Sequence, residues 1–131
     1  MASAMYPSCK ALLLTAGIDL ESDVTIKCVL LTATYTYSAA HTFYTSMTGP
    51  VGTPQALTAK TINVPAAGTF DAADATFPAV TAGSTVNAIG LFKDTGVAGT
   101  SDLVCYIDGV SVVSNGGSIG VTWSASGIFS I

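Results

Sequence analysis

The run Val24-Thr25-Ile26-Lys27-Cys28-Val29-Leu30-Leu31 decides the fold. Val24, Ile26, Cys28 and Leu30 alternate with Thr25, Lys27, Val29 and Leu31. A period of two becomes two distinct faces only in an extended strand. One face is wholly apolar, and the other starts polar and turns apolar toward Leu31. The same period returns downstream. Val86, Ala88, Gly90 and Phe92 alternate with Asn87, Ile89, Leu91 and Lys93. Leu103, Cys105 and Ile107 alternate with Val104 and Tyr106. Ile119, Val121 and Trp123 alternate with Gly120 and Thr122, which places Trp123 in the core, and Gly127 to Ile131 closes the chain as a short strand.

Upstream of Val24 the period is helical. Pro7 suits a first helical position, where its missing N–H is not needed. Cys9, Leu12, Leu13 and Ala16 follow the i, i+3, i+4, i+7 rule and make one apolar stripe. Gly17 is placed to cap that helix in a left-handed conformation. Between the clear strands, residues 35–48 lack alternation and read as an aromatic loop with one helical turn near His41 to Ser46. Gly49-Pro50-Val51-Gly52 reads as a turn. Gln55 to Val64 and Thr69 to Val80 are two further β candidates joined across Pro65 to Gly68, and Pro78 places the second at an edge or ends it early. Asp94 to Ser101 and Asp108 to Gly117 carry loop residues. Seven or so short strands with turns between them predict a mainly β chain: one domain over residues 1–131, an antiparallel β-sandwich or barrel, jelly-roll-like, with one short N-terminal helix.

Composition narrows the function. Half of the 131 residues are hydrophobic and only 9% are charged, against about 25% in ordinary soluble domains. Ser, Thr, Gly and Ala fill the places Lys and Glu usually hold, giving a polar surface that repels neighbours little and suits lasting contact with other subunits. The net charge is -4, and the four basic residues, Lys10, Lys27, Lys60 and Lys93, are widely spaced. That argues against nucleic acid as a partner. The apolar stretch Ala11 to Ile18 is followed at once by Asp19, Glu21 and Asp23 and shows no clear cleavage site, so it reads as a helix and not as a signal peptide. No apolar segment approaches the ~20 residues a membrane-spanning helix needs.

No motif carries chemistry. His41 is the single histidine, no Gly-x-Ser-x-Gly elbow accompanies it, and no catalytic residue is assigned. Asp71 and Asp74, like Asp19, Glu21 and Asp23, match no calcium loop; their simplest role is to shape turns through nearby amides, with calcium at Asp71 and Asp74 as the other reading. The loop Asp94 to Thr100 lacks the Gly-Lys-Ser/Thr of a phosphate loop. Cys9, Cys28 and Cys105 have no metal-ligand spacing and read as buried thiols in a chain folded in a reducing cytoplasm, with one disulfide as the alternative. No metal or cofactor is implied. The remaining candidates are the aromatics Tyr35, Tyr37, Phe43 and Tyr44 with His41. Exposed, they are a partner-binding surface; buried, they plug one end of the sandwich.

Several strings, in order, resemble small structural proteins of tailed-bacteriophage virions: Tyr35 to His41 with Phe43, Ala56 to Ile62, Gly68 to Asp74, Leu91 to Gly96, Thr100-Ser101 before Cys105 to Asp108, Asn115 to Gly117, Val121 to Trp123 and Ile128-Phe129. The resemblance spans nearly the whole chain. It implies a virion protein made in the host cytoplasm, not an enzyme. The expectation is a capsid decoration (cement) protein bound to the major capsid protein or other virion proteins, homo-oligomeric and most simply trimeric at local three-fold positions. A neck, tail or fibre-base protein is the alternative within the virion. A carbohydrate-binding module stacking sugars on Tyr35, Tyr37 and Tyr44 is the alternative outside it.

Overall fold

The computed structural model describes residues 4–23, 25–63 and 66–130. Val24 at the start of the deciding strand, Val64 at the end of the expected strand from Gln55, Pro65 at the start of the expected hairpin connection, and Ile131 at the expected end of the last strand lie outside them. The described chain is mainly β, antiparallel and sandwich-like. Its elements are β1 (Ala4–Met5), α1 (Pro7–Leu14), β2 (Ile26–Leu31), β3 (Val51–Ala56), β4 (Thr61–Ile62), β5 (Thr69–Asp71), β6 (Ala75–Phe77), β7 (Thr85–Lys93), β8 (Asp102–Val113), β9 (Ile119–Val121) and β10 (Phe129–Ser130). A five-stranded sheet runs in the order β1-β8-β7-β2-β3, a three-stranded one in the order β10-β5-β4, and β6 pairs with β9.

The large sheet is buried on both faces. On its first face, Ile26, Cys28 and Leu30 of β2 pack with Ile89, Leu91, Cys9 of α1, and Phe70 and Phe77 of the small sheets. On the second face, Val29, Leu31, Ala88, Phe92 and Leu103 form another core with Tyr6, Tyr35, Met47 and Tyr106. This is why β2 turns apolar on both sides toward Leu31. Each fully buried Leu or Phe contributes roughly 1.5–3 kcal/mol, so the second core is a substantial part of the fold.

Where strict alternation was expected in β8, a bulge breaks it. Leu91 pairs with Cys105 but Phe92 pairs with Leu103, so Val104 is an extra residue. One extra residue shifts every later side chain to the opposite face. Val104 and Cys105 therefore both enter the first core, while Leu103 and Tyr106 share the second. The stretch from Asp108 was expected as a loop, but β8 continues to Val113. Gly109 (φ 84°), Val110 and Ser111 stand opposite the single residue Asn87, so the turn-forming residues bulge the strand and do not end it.

Of the expected turn at residues 49–52, Gly49 (φ 65°) and Pro50 precede the strand, while Val51 and Gly52 are the start of β3. Gly52, with φ 72°, Thr53 and Pro54 stand opposite the single residue Val29, between the pairs Cys28–Gln55 and Leu30–Val51. An edge strand tolerates a proline and a bulge where a central one does not. The first candidate, Gln55 to Val64, divides into the end of β3 at Ala56 and the short β4, and the second divides into β5 and β6, with Pro78 directly after β6.

The helix ends at Leu14, two residues short of the expected Ala16. Its C-terminal left-handed residue is Ala16 (φ 58°), not Gly17, so Ala16 is exposed and drops out of the apolar stripe. The Gly17 N–H donates to the Leu12 carbonyl at 2.8 Å, the longer bond of a Schellman closure. A Cβ on Gly17 would lie 2.7 Å from Leu12 Cδ2, so any other residue there would turn the Leu12 side chain aside. Trp123 lies beyond β9 and is half-buried, its indole N–H donating to the Ala73 carbonyl at 3.0 Å.

Two ion pairs tie β2 and β7 to the segments flanking them. Lys27 Nζ lies 2.6 Å from Asp94 Oδ2, and Lys93 Nζ lies 3.1 Å from Asp23 Oδ2. The Lys27 hydrogen bond, then the Gly96 amide, hold the Asp94 carboxyl below the usual carboxylate range. A carboxyl with a lowered folded-state pKa stabilises above its unfolded value and loses that contribution as pH falls through the folded one. Asp94→Asn is therefore expected to lower the urea midpoint at neutral pH. The gap to the parent should close as pH falls through the range below about 4. Parallel urea titrations across that range check it.

Candidate functional site

The residues between β2 and β3 fold back over the second face of the large sheet. The Tyr35 N–H donates to the Thr32 carbonyl at 3.2 Å and the His41 N–H to the Ser38 carbonyl at 3.0 Å, two turns that reverse the chain. The segment then pairs with the start of β8: the Leu103 N–H donates to the Thr42 carbonyl at 3.0 Å, and the Tyr44 N–H to the Ser101 carbonyl at 2.8 Å. Phe43 forms a single antiparallel bridge with Asp102. The expected helical turn near His41 to Ser46 is a 3-10 turn at Tyr44–Ser46. Met47 then drops into the second core above Gly90, where a Cβ would lie 2.5 Å from Met47 Cε. Glycine at 90 makes that seat.

The structure brings the five candidate residues into one aromatic lid, but they are unequally accessible. Tyr35 is 4% exposed and belongs to the core. Tyr37, His41 and Tyr44 are half-buried, and Phe43 is 38% exposed. Tyr44 lies flat on Phe92, with ring centroids 4.0 Å apart and planes 3° from parallel. Tyr37 packs between Tyr6 (5.0 Å) and Tyr106 (5.5 Å). One ring of the expected sugar platform is thus buried and the other two have faces already covered by aromatic neighbours, so the three do not make an open stacking surface.

Sequence reasoning missed Tyr6. It sits between β1 and α1, is 0% exposed, and its hydroxyl is hydrogen-bonded to that of Tyr35. Tyr35 Oη is also 2.8 Å from His41 Nδ1. Burial, and then the bond to Tyr35, push the Tyr6 hydroxyl well above its ordinary pKa; burial raises that of Tyr35 too. Both phenols stay protonated at neutral pH. Nothing local marks Tyr6, since its partner is 29 residues away.

The other candidates take structural positions. Asp74 Oδ1 accepts the Trp123 N–H at 3.1 Å, and Asp71 Oδ1 accepts the Ala72 N–H at 2.9 Å. Asp19 accepts the N–H groups of Glu21 and Ser22 at 3.1 and 3.0 Å. Among the described residues no three His, Cys, Asp or Glu side chains gather in a metal-binding group. Cys9, Cys28 and Cys105 are buried and unpaired, and burial pushes the Cys9 and Cys28 thiols up to about 12. No helix among the described residues is long and apolar enough to cross a membrane. Chain likeness adds nothing to this picture. No protein-family model matches the chain, and no curated protein is significantly similar to it. The site is thus defined by its own geometry: an aromatic lid whose inner rings are fixed in a core and whose outer edge, at Phe43 and His41, reaches solvent. Such an arrangement can bind by packing.

Proposed function

We propose that this chain is a structural subunit of a bacteriophage virion, serving as a capsid decoration (cement) protein. The observation that supports it most is the surface. Only 9% of the residues are charged, and two of the four lysines are spent on Asp94 and Asp23. Isolated apolar side chains stand out from the Ser, Thr and Ala background: Leu14 at 89% exposed, Val113 at 67% and Val97 at 61%. A surface with little charge pays little to be desolvated against protein. At ~25 cal/mol per Å² of apolar area buried, small contacts repeated over many copies accumulate into a shell that resists outward pressure, and avidity adds to it. The lid's outer edge, at Phe43, His41 and the rims of Tyr37 and Tyr44, is the face offered to the major capsid protein, and a trimer at local three-fold positions is the simplest arrangement.

Mass-spectrometric copy counting on purified particles, with cryo-EM of the shell, tests this reading. A copy number comparable to the major capsid protein and density on the outer lattice are expected. About a dozen copies or fewer would move the chain to the neck, tail or fibre base. Absence from the particle would end the virion reading.

A further inference from the structure

Tyr6, Tyr35 and His41 form a hydrogen-bond chain with two links. The Tyr6 and Tyr35 hydroxyls make the first, and Tyr35 Oη with His41 Nδ1 makes the second, at 2.8 Å. Among the described residues, the side-chain hydrogen-bond partners of these three are one another.

With His41 neutral, the count closes. With the imidazole proton on Nε2, the tautomer that leaves Nδ1 as an acceptor, Tyr6 donates to Tyr35 and Tyr35 donates to Nδ1, so two protons serve two links. Protonation turns Nδ1 into a donor. Three protons then compete for the same two links. Whichever way the hydroxyls turn, the O–H of Tyr6 or of Tyr35 has no acceptor. At 0% and 4% exposure, neither can take water as its partner unless the loop moves. A buried polar group left unpaired costs the full desolvation penalty.

We propose that residues 35–47 are an acid-released lid: protonation of His41 upsets the donor and acceptor count of the Tyr6–Tyr35–His41 chain and loosens the loop from the second face of the large sheet. His41 is the only histidine, and histidine is the side chain whose ordinary charge change falls between about pH 5 and 8. The groups packed around the chain are mostly neutral: Tyr37 of the loop itself, and Cys105 and Tyr106 of β8, whose thiol and hydroxyl burial pushes up. The carboxylates that act on this side are Asp108, on Tyr106, and Asp94, on Tyr44; Asp102, whose backbone bridges to Phe43, acts on Cys9 of the opposite face. Release uncovers the apolar floor of Val29, Leu31, Ala88, Phe92 and Leu103. The device therefore couples acidification to exposure of a sheet face. It holds whether or not the chain is part of a virion.

Hydrogen exchange read by mass spectrometry on the full chain, at about pH 7.5 and about pH 5 and corrected for intrinsic exchange chemistry, tests it. Protection over residues 35–47 should fall roughly tenfold on acidification, in line with one orphaned buried hydroxyl, while β2 and β7 stay unchanged. In His41→Gln, whose amide oxygen can accept from Tyr35 but takes no proton, the lid should show no pH response. Equal wild-type protection at the two pH values, or the same fall in H41Q, overturns the proposal. Should H41Q fold poorly, the wild-type chain decides: NMR titration of its one imidazole must track the loss of lid protection, and a lid that loosens without it refutes the idea.

Discussion

Phe92→Ala is expected to cost about 3–5 kcal/mol, the range for truncating a buried aromatic. Phe92 is 1% exposed and lies on the second face of the large sheet, flat beneath Tyr44 at 4.0 Å. Truncation removes transfer energy, opens a cavity between β7 and the lid, and takes away the ring on which Tyr44 rests. Aromatic pairs of this kind add about 0.5–1.5 kcal/mol beyond their buried area. Domains of this size are stable by about 5–15 kcal/mol, so the loss is at least about a fifth of the whole. Urea unfolding monitored by circular dichroism checks it, and hydrogen exchange should place the largest local effect in residues 35–47. Phe92→Leu should recover most of the stability but not the tyrosine near-UV signal. A cost under about 1 kcal/mol for F92A would mean that the second core is not packed as described.

Gly127→Ala is expected to cost about 2–5 kcal/mol, from two independent sources. Gly127 has φ +98°, a conformation that costs an L-residue roughly 1–3 kcal/mol. A Cβ built there would lie 2.2 Å from Thr69 Cγ2 and 3.2 Å from the Phe70 carbonyl oxygen. Thr69 is 3% exposed in β5 and cannot swing aside, so overpacking adds about 1–3 kcal/mol. The two parts separate in a double-mutant cycle. Thr69→Ser deletes the methyl group, so G127A in that background should keep the backbone penalty and lose most of the clash. Equal costs of G127A in both backgrounds would assign the whole effect to the backbone.

Local pattern carried the sequence reading where the chain is regular. β2 obeys its alternation because its pairing with β7 runs without interruption from Ile26–Lys93 to Leu31–Ala88. β8 was legible as a strand but not in its facing, because Val104 is an extra residue, and no local signal in Leu103-Val104-Cys105-Tyr106 marks it. Residues 109–117 carry the Gly, Ser and Asn of a loop, yet pairing with β7 holds the first five of them in the strand. The aromatic cluster was visible as a cluster. Its division into buried Tyr35 and part-exposed Phe43 depends on Tyr6, 29 residues upstream of Tyr35, and on Gly90, whose missing side chain seats Met47. Such long-range pairings are settled by packing in three dimensions and leave no periodic trace.

The bulged edge of β3 has a consequence for how copies of this chain can crowd together. An endless ribbon needs every molecule to offer a donor edge and an acceptor edge, so that each addition recreates the site for the next. Pro54 lacks an amide hydrogen, and Gly52 turns the backbone aside, so one end of the large sheet is a poor template. With that end blunted, head-to-tail stacking into fibrils cannot propagate through this sheet. A protein with so few like charges to keep its copies apart is thus guarded against fibre growth by backbone shape instead of by electrostatic repulsion.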